Sequence, residues 1–102
     1  VQALAPSKGR VLYAIMKQSA EALTRGLAAE LASNTRTVCI RMGQLDKAMH
    51  GLKVDFDYIK TRAPLGIVQA QDIARLIFQL YEQPAITGSI ITIDGGHLLN
   101  IW

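Results

Sequence analysis

The sequence predicts an α/β fold in which helices pack against parallel strands. Two long stretches with apolar residues at helical spacing, 11–32 and 70–82, alternate with two short β-branched stretches, 37–41 and 89–93. The order helix, strand, long connection, helix, strand is typical of parallel strands joined by helices. Two strands are too few for a stable parallel sheet, because such a sheet is buried on both faces and needs further neighbours.

The first helix is predicted to run from about residue 11 to residue 32. Small residues occupy much of its surface and allow another backbone to approach closely, so it is a candidate for packing against its own sheet and against a second copy. The alternative is an ordinary core helix that is rich in alanine because alanine favours helices. Its large apolar residues recur at helical spacing: Leu12, Ile15, Met16, Leu23, Leu27 and Leu31.

Tyr13 and Lys17 project from one face of this helix, one turn apart. Judged from spacing alone, they are a half-buried aromatic residue and a solvated charge. The alternative is that the phenol and the ammonium share one small site.

The first strand is predicted at 37–41 and to be buried, and Gly43 ends it. Cys39 lies within it and is interpreted as a small core residue, rather than as a reactive thiol. The chain has one cysteine and so no intrachain disulfide, which fits a reducing, cytoplasmic compartment.

The connection from 44 to 61 is predicted to contain a loosely amphipathic helical segment. A surface helix is the favoured interpretation of the pattern, and a lid over a substrate is the alternative. The apolar residues of the segment recur at i, i+3, i+7 and i+10: Met49, Leu52, Phe56 and Ile59.

The second long helix is predicted at 70–82, and Pro84 stops it. The second strand, 89–93, is β-branched and ends in the turn 94–96, whose sequence is Asp-Gly-Gly. One apolar stripe runs along the second helix: Ile73, Leu76, Ile77, Leu80 and Tyr81.

Composition argues against several classes of function. The net charge of +3 comes from scattered side chains that do not alternate with aromatics, so nucleic-acid binding is not expected. No apolar run approaches the roughly 18 residues that cross a bilayer, so no membrane association is expected. His50 and His97 share no metal-site spacing, so no metal site is expected.

The apolar tail that ends in Trp102 is expected to pack against the protein body or a neighbouring subunit.

Several of these features together resemble the short-chain dehydrogenases and reductases. The resemblance covers almost the whole chain and rests on Tyr13-x-x-x-Lys17 opening a helix, Met42-Gly43 after a strand, and the later Thr87-Gly88 and Asp94-Gly95-Gly96. It implies a Rossmann-type, doubly wound parallel sheet. It also implies hydride transfer between NAD or NADP and a small-molecule carbonyl or alcohol. The small residues of helix 11–32 separately favour a homo-oligomer that forms through this helix.

The resemblance implies that Tyr13 is the general acid and base and that Lys17 assists it. A phenol has an ordinary pKa of about 10, so a nearby cation is needed to favour the phenolate near neutral pH. In the family this lysine also hydrogen-bonds the nicotinamide ribose. A cofactor wall is implied at Met42, Gly43 and Leu45, where glycine would let the backbone approach the ring. The family's carboxamide-binding threonine is replaced by Lys47, and its usual proline by Met42.

Other family features have no counterpart in the sequence. They are the catalytic serine, for which Ser7 lies too near Tyr13, the catalytic asparagine and the Gly-rich phosphate loop. Residues 1–102 are therefore expected to be the C-terminal part of one Rossmann-type domain, without its nucleotide-binding N-terminal half, and to be inactive alone. The alternative is a non-catalytic piece that oligomerises through helix 11–32.

Overall fold

A computed structural model of the chain describes residues 2–4, 7–47 and 53–100. In these ranges the backbone forms three α-helices, two strands and a short 3-10 helix. In chain order they are α1 (Val11–Leu31), β1 (Cys39–Met42), α2 (Phe56–Arg62), α3 (Ala70–Glu82), β2 (Ile90–Ile93) and the 3-10 helix His97–Asn100. No helix in the described part of the chain is both long enough and apolar enough to span a membrane.

The two strands pair in parallel, with Cys39 opposite Ile90 and Met42 opposite Ile93. The predicted α/β fold with parallel strands is therefore confirmed. β1 begins two residues later than predicted, because the backbone of Thr37 bonds instead to Gly88 and to the hydroxyl of Thr87. The prediction of a buried strand is wrong, since each described strand has one neighbour and β1 remains half-exposed. Cys39 is accordingly half-buried rather than a core residue.

The face that α1 turns to the protein consists of small and polar residues. The buried residues are Ala14, Glu21, Thr24 and Ala28, and the hydroxyl of Thr24 donates a hydrogen bond to the carbonyl of Ala20. Most of the large apolar residues of this helix are exposed instead: Leu12, Ile15, Met16, Leu23 and Leu31. The buried positions of the helix are thus occupied by alanine, threonine and one glutamate.

The connection after β1 is helical only in its second part. Leu45 forms an isolated parallel bridge with Val68, and α2 begins after Asp55, whose carboxylate accepts a hydrogen bond from the backbone N–H of Tyr58. The predicted amphipathic residues Met49 and Leu52 lie outside the described residues, as does His50.

The helix α3 has the predicted bounds and is fixed at both ends by side chains. A capping box joins Gln69 and Asp72 at its start. At its end, the guanidinium of Arg36 donates hydrogen bonds to the carbonyls of Leu80 (2.9 Å) and Tyr81 (3.0 Å). The predicted apolar stripe is only partly covered, because Ile77 and Tyr81 are exposed.

Candidate active site

Two contacts fix the direction of α1 along the sheet. Ala28 lies beside Gly88, just before β2 begins, whereas Glu21 binds Arg41 near the carboxyl end of β1. The helix therefore runs antiparallel to the strands, and its first two turns extend past their carboxyl ends. At about 1.5 Å of rise per residue, Lys17 lies about 6 Å beyond Glu21, while Gly43 lies about 6–7 Å beyond Arg41. Lys17 and Gly43 both lie toward the carboxyl ends of the strands.

Tyr13 and Lys17 occupy one exposed face of α1. The ammonium of Lys17 lies 5.1 Å from the centre of the Tyr13 ring, and the guanidinium of Arg10 lies 6.0 Å from it. Tyr13 is 39% exposed, although the neighbouring Ala14 is buried. The phenol is therefore flanked by two cations on a surface that another molecule can reach.

The residues predicted as a cofactor wall lie at the end of β1 and directly after it. Met42 is 42% exposed and Leu45 is half-buried in its bridge to Val68. The backbone N–H of Gly43 donates to the carbonyl of Ile93 (2.9 Å). A Cβ atom at Gly43 would lie 2.8 Å from the Cα atom of Asp94. The close approach of Asp94 is therefore sufficient reason for glycine at this position. Lys47, at the family's threonine position, is exposed.

A tight turn follows β2 at the carboxyl end of the sheet, next to Gly43. The carboxylate of Asp94 accepts hydrogen bonds from the backbone N–H groups of Gly96 (2.8 Å) and Leu98 (2.9 Å). Gly95 has φ of 65°, and a side chain there would collide with the carbonyl oxygen of Gly66. The turn predicted from Asp-Gly-Gly is confirmed, and it holds the edge of the sheet beside Gly43 in a fixed shape.

An ion pair that the sequence pattern does not predict joins α1 to β1. The carboxylate of Glu21, 3% exposed, accepts two hydrogen bonds of 2.7 Å from the Nε and Nη2 atoms of Arg41. The Nη1 atom of Arg41 donates to the hydroxyl of Thr92 on β2 (2.9 Å). The signal available in the sequence was the spacing of seven residues between Ala14, Glu21 and Ala28, which places the acid on the small-residue face.

The ion pair changes the titration of both partners. Hydrogen bonding to Arg41 lowers the pKa of Glu21, and burial of the carboxylate opposes this shift only in part. Hydrogen bonding to Glu21 raises the pKa of Arg41 in turn. Both groups are therefore charged near neutral pH.

His97 is a second polar residue with restricted access to water. Its Nδ1 atom is buried and accepts or donates no hydrogen bond within the described structure. Burial lowers the pKa of His97, and the charge of Arg62 adds to this shift. In the described ranges, no three side chains of the metal-binding types come together.

Known proteins provide an independent comparison. The family model described as enoyl-(acyl carrier protein) reductase matches residues 1–97. The short-chain dehydrogenase/reductase homolog YusR of Bacillus subtilis is 32% identical over 93 residues, which are 85% of this chain and 69% of that protein.

Solved structures agree with these sequence matches. A 4-hydroxyisoleucine dehydrogenase complexed with NADH matches with a TM-score of 0.84 and 27% identity, over 97% of this chain and 44% of that one. A small-chain dehydrogenase in complex with NADPH matches with a TM-score of 0.82 and 27% identity, over 93% of this chain and 46% of that one. This chain thus spans less than half the length of either solved relative, both of which have the Rossmann-type fold. It belongs to the short-chain dehydrogenase/reductase family.

Proposed function

We propose that this chain carries the proton-transferring pair of an NAD(P)-dependent oxidoreductase that interconverts a carbonyl and an alcohol. The observation that carries the proposal is the placement of Tyr13 and Lys17, 5.1 Å apart from ring centre to ammonium, beyond the carboxyl ends of the strands. Ligands of open α/β sheets bind outside this edge. The relatives complexed with NADH and NADPH support a nicotinamide dinucleotide as the cofactor.

In this proposal, Tyr13 donates its hydroxyl proton to the carbonyl oxygen of the substrate, and it accepts that proton in the reverse direction. Lys17 places a positive charge one helical turn away, and this charge offsets the negative charge left on the phenol oxygen. Arg10 adds a second positive charge beside the ring. A nicotinamide, when bound, supplies or accepts the hydride.

The residues present fit a nicotinamide cofactor in one respect, since Lys17 offers exposed ammonium donors for a ribose hydroxyl at the expected edge of the sheet. Met42, Gly43 and Leu45 would form the adjoining wall. We propose further that residues 1–102 are the C-terminal part of a single Rossmann-type domain. The complete protein, meaning the polypeptide that joins this part to its nucleotide-binding half, would be the active species.

The proposal is tested by following oxidation of NADH and NADPH by the complete protein with a panel of ketones and aldehydes. An enoyl thioester belongs in the panel, because the matching family model is described as an enoyl reductase. Carbonyl-dependent oxidation is expected from the complete protein and none from residues 1–102 alone. Turnover of the enoyl thioester with no carbonyl turnover would contradict the proposed reaction.

A non-catalytic oligomerising role is the second candidate, and one observation favours it. Leu12, Met16 and Leu23 are exposed along one side of α1, which leaves an apolar stripe open to a second copy. Sedimentation of residues 1–102 with Leu12→Lys and Met16→Lys should then show monomers, whereas Leu65→Lys, at an exposed loop position, should leave the association unchanged. Tight calorimetric binding of NADH or NADPH by residues 1–102 would contradict this purely structural role.

A further inference from the structure

The packed face of α1 has little that could hold the helix at one height on the sheet. Three of its four buried residues are Ala14, Thr24 and Ala28, whose short side chains form a smooth surface. Interlocking of large side chains normally fixes how one element lies on another. Glu21 is the one long side chain among these buried residues, and it lies one turn from Lys17.

The guanidinium of Arg41 connects this acid to both strands. Its Nε and Nη2 atoms bind the two carboxylate oxygens of Glu21 at 2.7 Å, and its Nη1 atom binds the hydroxyl of Thr92 at 2.9 Å. A two-point contact between a planar guanidinium and a carboxylate constrains rotation as well as distance. Arg41 lies two residues before Gly43, so the same contact joins the helix of Tyr13 to the strand that leads into the cofactor wall.

Stability alone is a poor explanation for a buried pair of this kind. Removing two charges from water costs about as much free energy as their attraction returns, so apolar side chains of similar volume often stabilise a protein equally well. Glu21 and the side chain of Arg41 are nonetheless almost completely enclosed, at 4% and 14% exposure. What the pair adds over an apolar contact is a fixed geometry.

Resting on the proposed function, we propose that Glu21 and Arg41 are positioning residues that set the height and rotation of Tyr13 and Lys17 relative to Gly43. Glu21 acts through the helix and touches neither substrate nor cofactor. A displacement of about 1 Å between reacting groups can lower a rate about a hundredfold, so the register between α1 and β1 has direct consequences for turnover.

The double variant E21M/R41M of the complete protein separates positioning from stability, because two methionines fill a similar volume without charge. We expect its thermal midpoint to stay close to that of the parent protein, while kcat falls at least tenfold. Arg75→Met is the matched control, since Arg75 pairs with Asp72 at 3.9 Å on the exposed side of α3. A kcat within twofold of the parent value would overturn the proposal.

If E21M/R41M does not fold, the charge-exchanged variant E21R/R41E decides the matter. It can rebuild the two-point contact in the opposite sense, so its kcat should exceed that of E21R alone by at least tenfold. A kcat no higher than that of E21R would also overturn the proposal. Tyr13→Phe distinguishes failure of the positioning proposal from failure of the proposed function. If Tyr13→Phe is inactive while E21M/R41M is fully active, the positioning role is contradicted and the proposed function is not.

Discussion

Two regions at the same end of the molecule are built in opposite ways. The turn cluster, consisting of Gly43, residues 64–66 and residues 94–96, is held by backbone hydrogen bonds and by contacts too close for side chains. The first two turns of α1, residues 11–17, leave Tyr13, Lys17 and most of the apolar side chains exposed. Contacts within the chain determine the shape of the turn cluster, whereas residues 11–17 expose their side chains to other molecules.

The difference shows which substitutions change stability and which change chemistry. At Gly43 and Gly95 in the turn cluster, an added methyl group meets backbone atoms, so the substitution is expected to lower stability. Among residues 11–17, a removed hydroxyl or ammonium loses few contacts within the chain, so its cost is expected in turnover. The Glu21–Arg41 pair lies between the two regions and belongs to both classes.

The largest loss of stability is expected at this junction. Arg41→Met leaves the carboxylate of Glu21 buried without its partner, which should lower the free energy of unfolding by about 3–5 kcal/mol. Urea unfolding of the complete protein, followed by circular dichroism, measures the change. Arg75→Met removes an exposed charge and should change stability by less than about 0.5 kcal/mol. Equal losses of stability in the two variants would contradict the conclusion that Arg41 neutralises a buried carboxylate.

A smaller loss is expected in the turn cluster. Gly95→Ala combines φ of 65° with a collision against the carbonyl of Gly66, and should destabilise the fold by about 1–3 kcal/mol. Gly26→Ala is the matched control, because Gly26 lies within α1 with open space around it and should stabilise the helix by about 0.5–1 kcal/mol. The same unfolding measurement applies, and an unchanged Gly95→Ala would show that the turn is not rigid.

The smallest effect is a dependence of stability on pH. The pKa of Glu21 is lowered from an ordinary value of 4.5 by its bonds to Arg41, so the folded protein keeps the carboxylate charged where the unfolded chain binds a proton. The contribution of the Glu21 carboxylate to the free energy of unfolding is complete at pH values above that ordinary pKa. It is lost as the pH falls through the lower pKa of the folded state. The difference in unfolding free energy between the parent and Glu21→Gln should therefore shrink on acidification from about pH 7 to about pH 3. A difference that stays constant would contradict the ion pair.

The features that the sequence predicts well are those fixed by local signals. The bounds of α3 follow from its apolar period and from Pro84, and the turn after β2 follows from Asp94-Gly95-Gly96. Parallel pairing follows from the order of the elements. Each of these signals lies within a few neighbouring residues, or in the order of the segments.

The features that the sequence does not predict depend on which face of an element is covered. Six large apolar residues recur at helical spacing along α1, yet the buried residues of the helix are Ala14, Glu21, Thr24 and Ala28. Periodicity cannot distinguish a face that contacts its own sheet from one that faces outward. The same ambiguity concealed Glu21, whose partner is 20 residues away in the sequence.

The proposed role of Tyr13 as the proton donor and acceptor is most directly tested by turnover of Tyr13→Phe in the complete protein. This change removes one hydroxyl group from an exposed side chain, so stability and the dissociation constant for the nicotinamide cofactor should stay unchanged, while kcat falls at least a hundredfold. Tyr81→Phe, at another exposed tyrosine, is the matched control and should retain full turnover. A Tyr13→Phe variant that keeps the kcat of the parent would contradict the assignment of Tyr13 as the proton donor and acceptor.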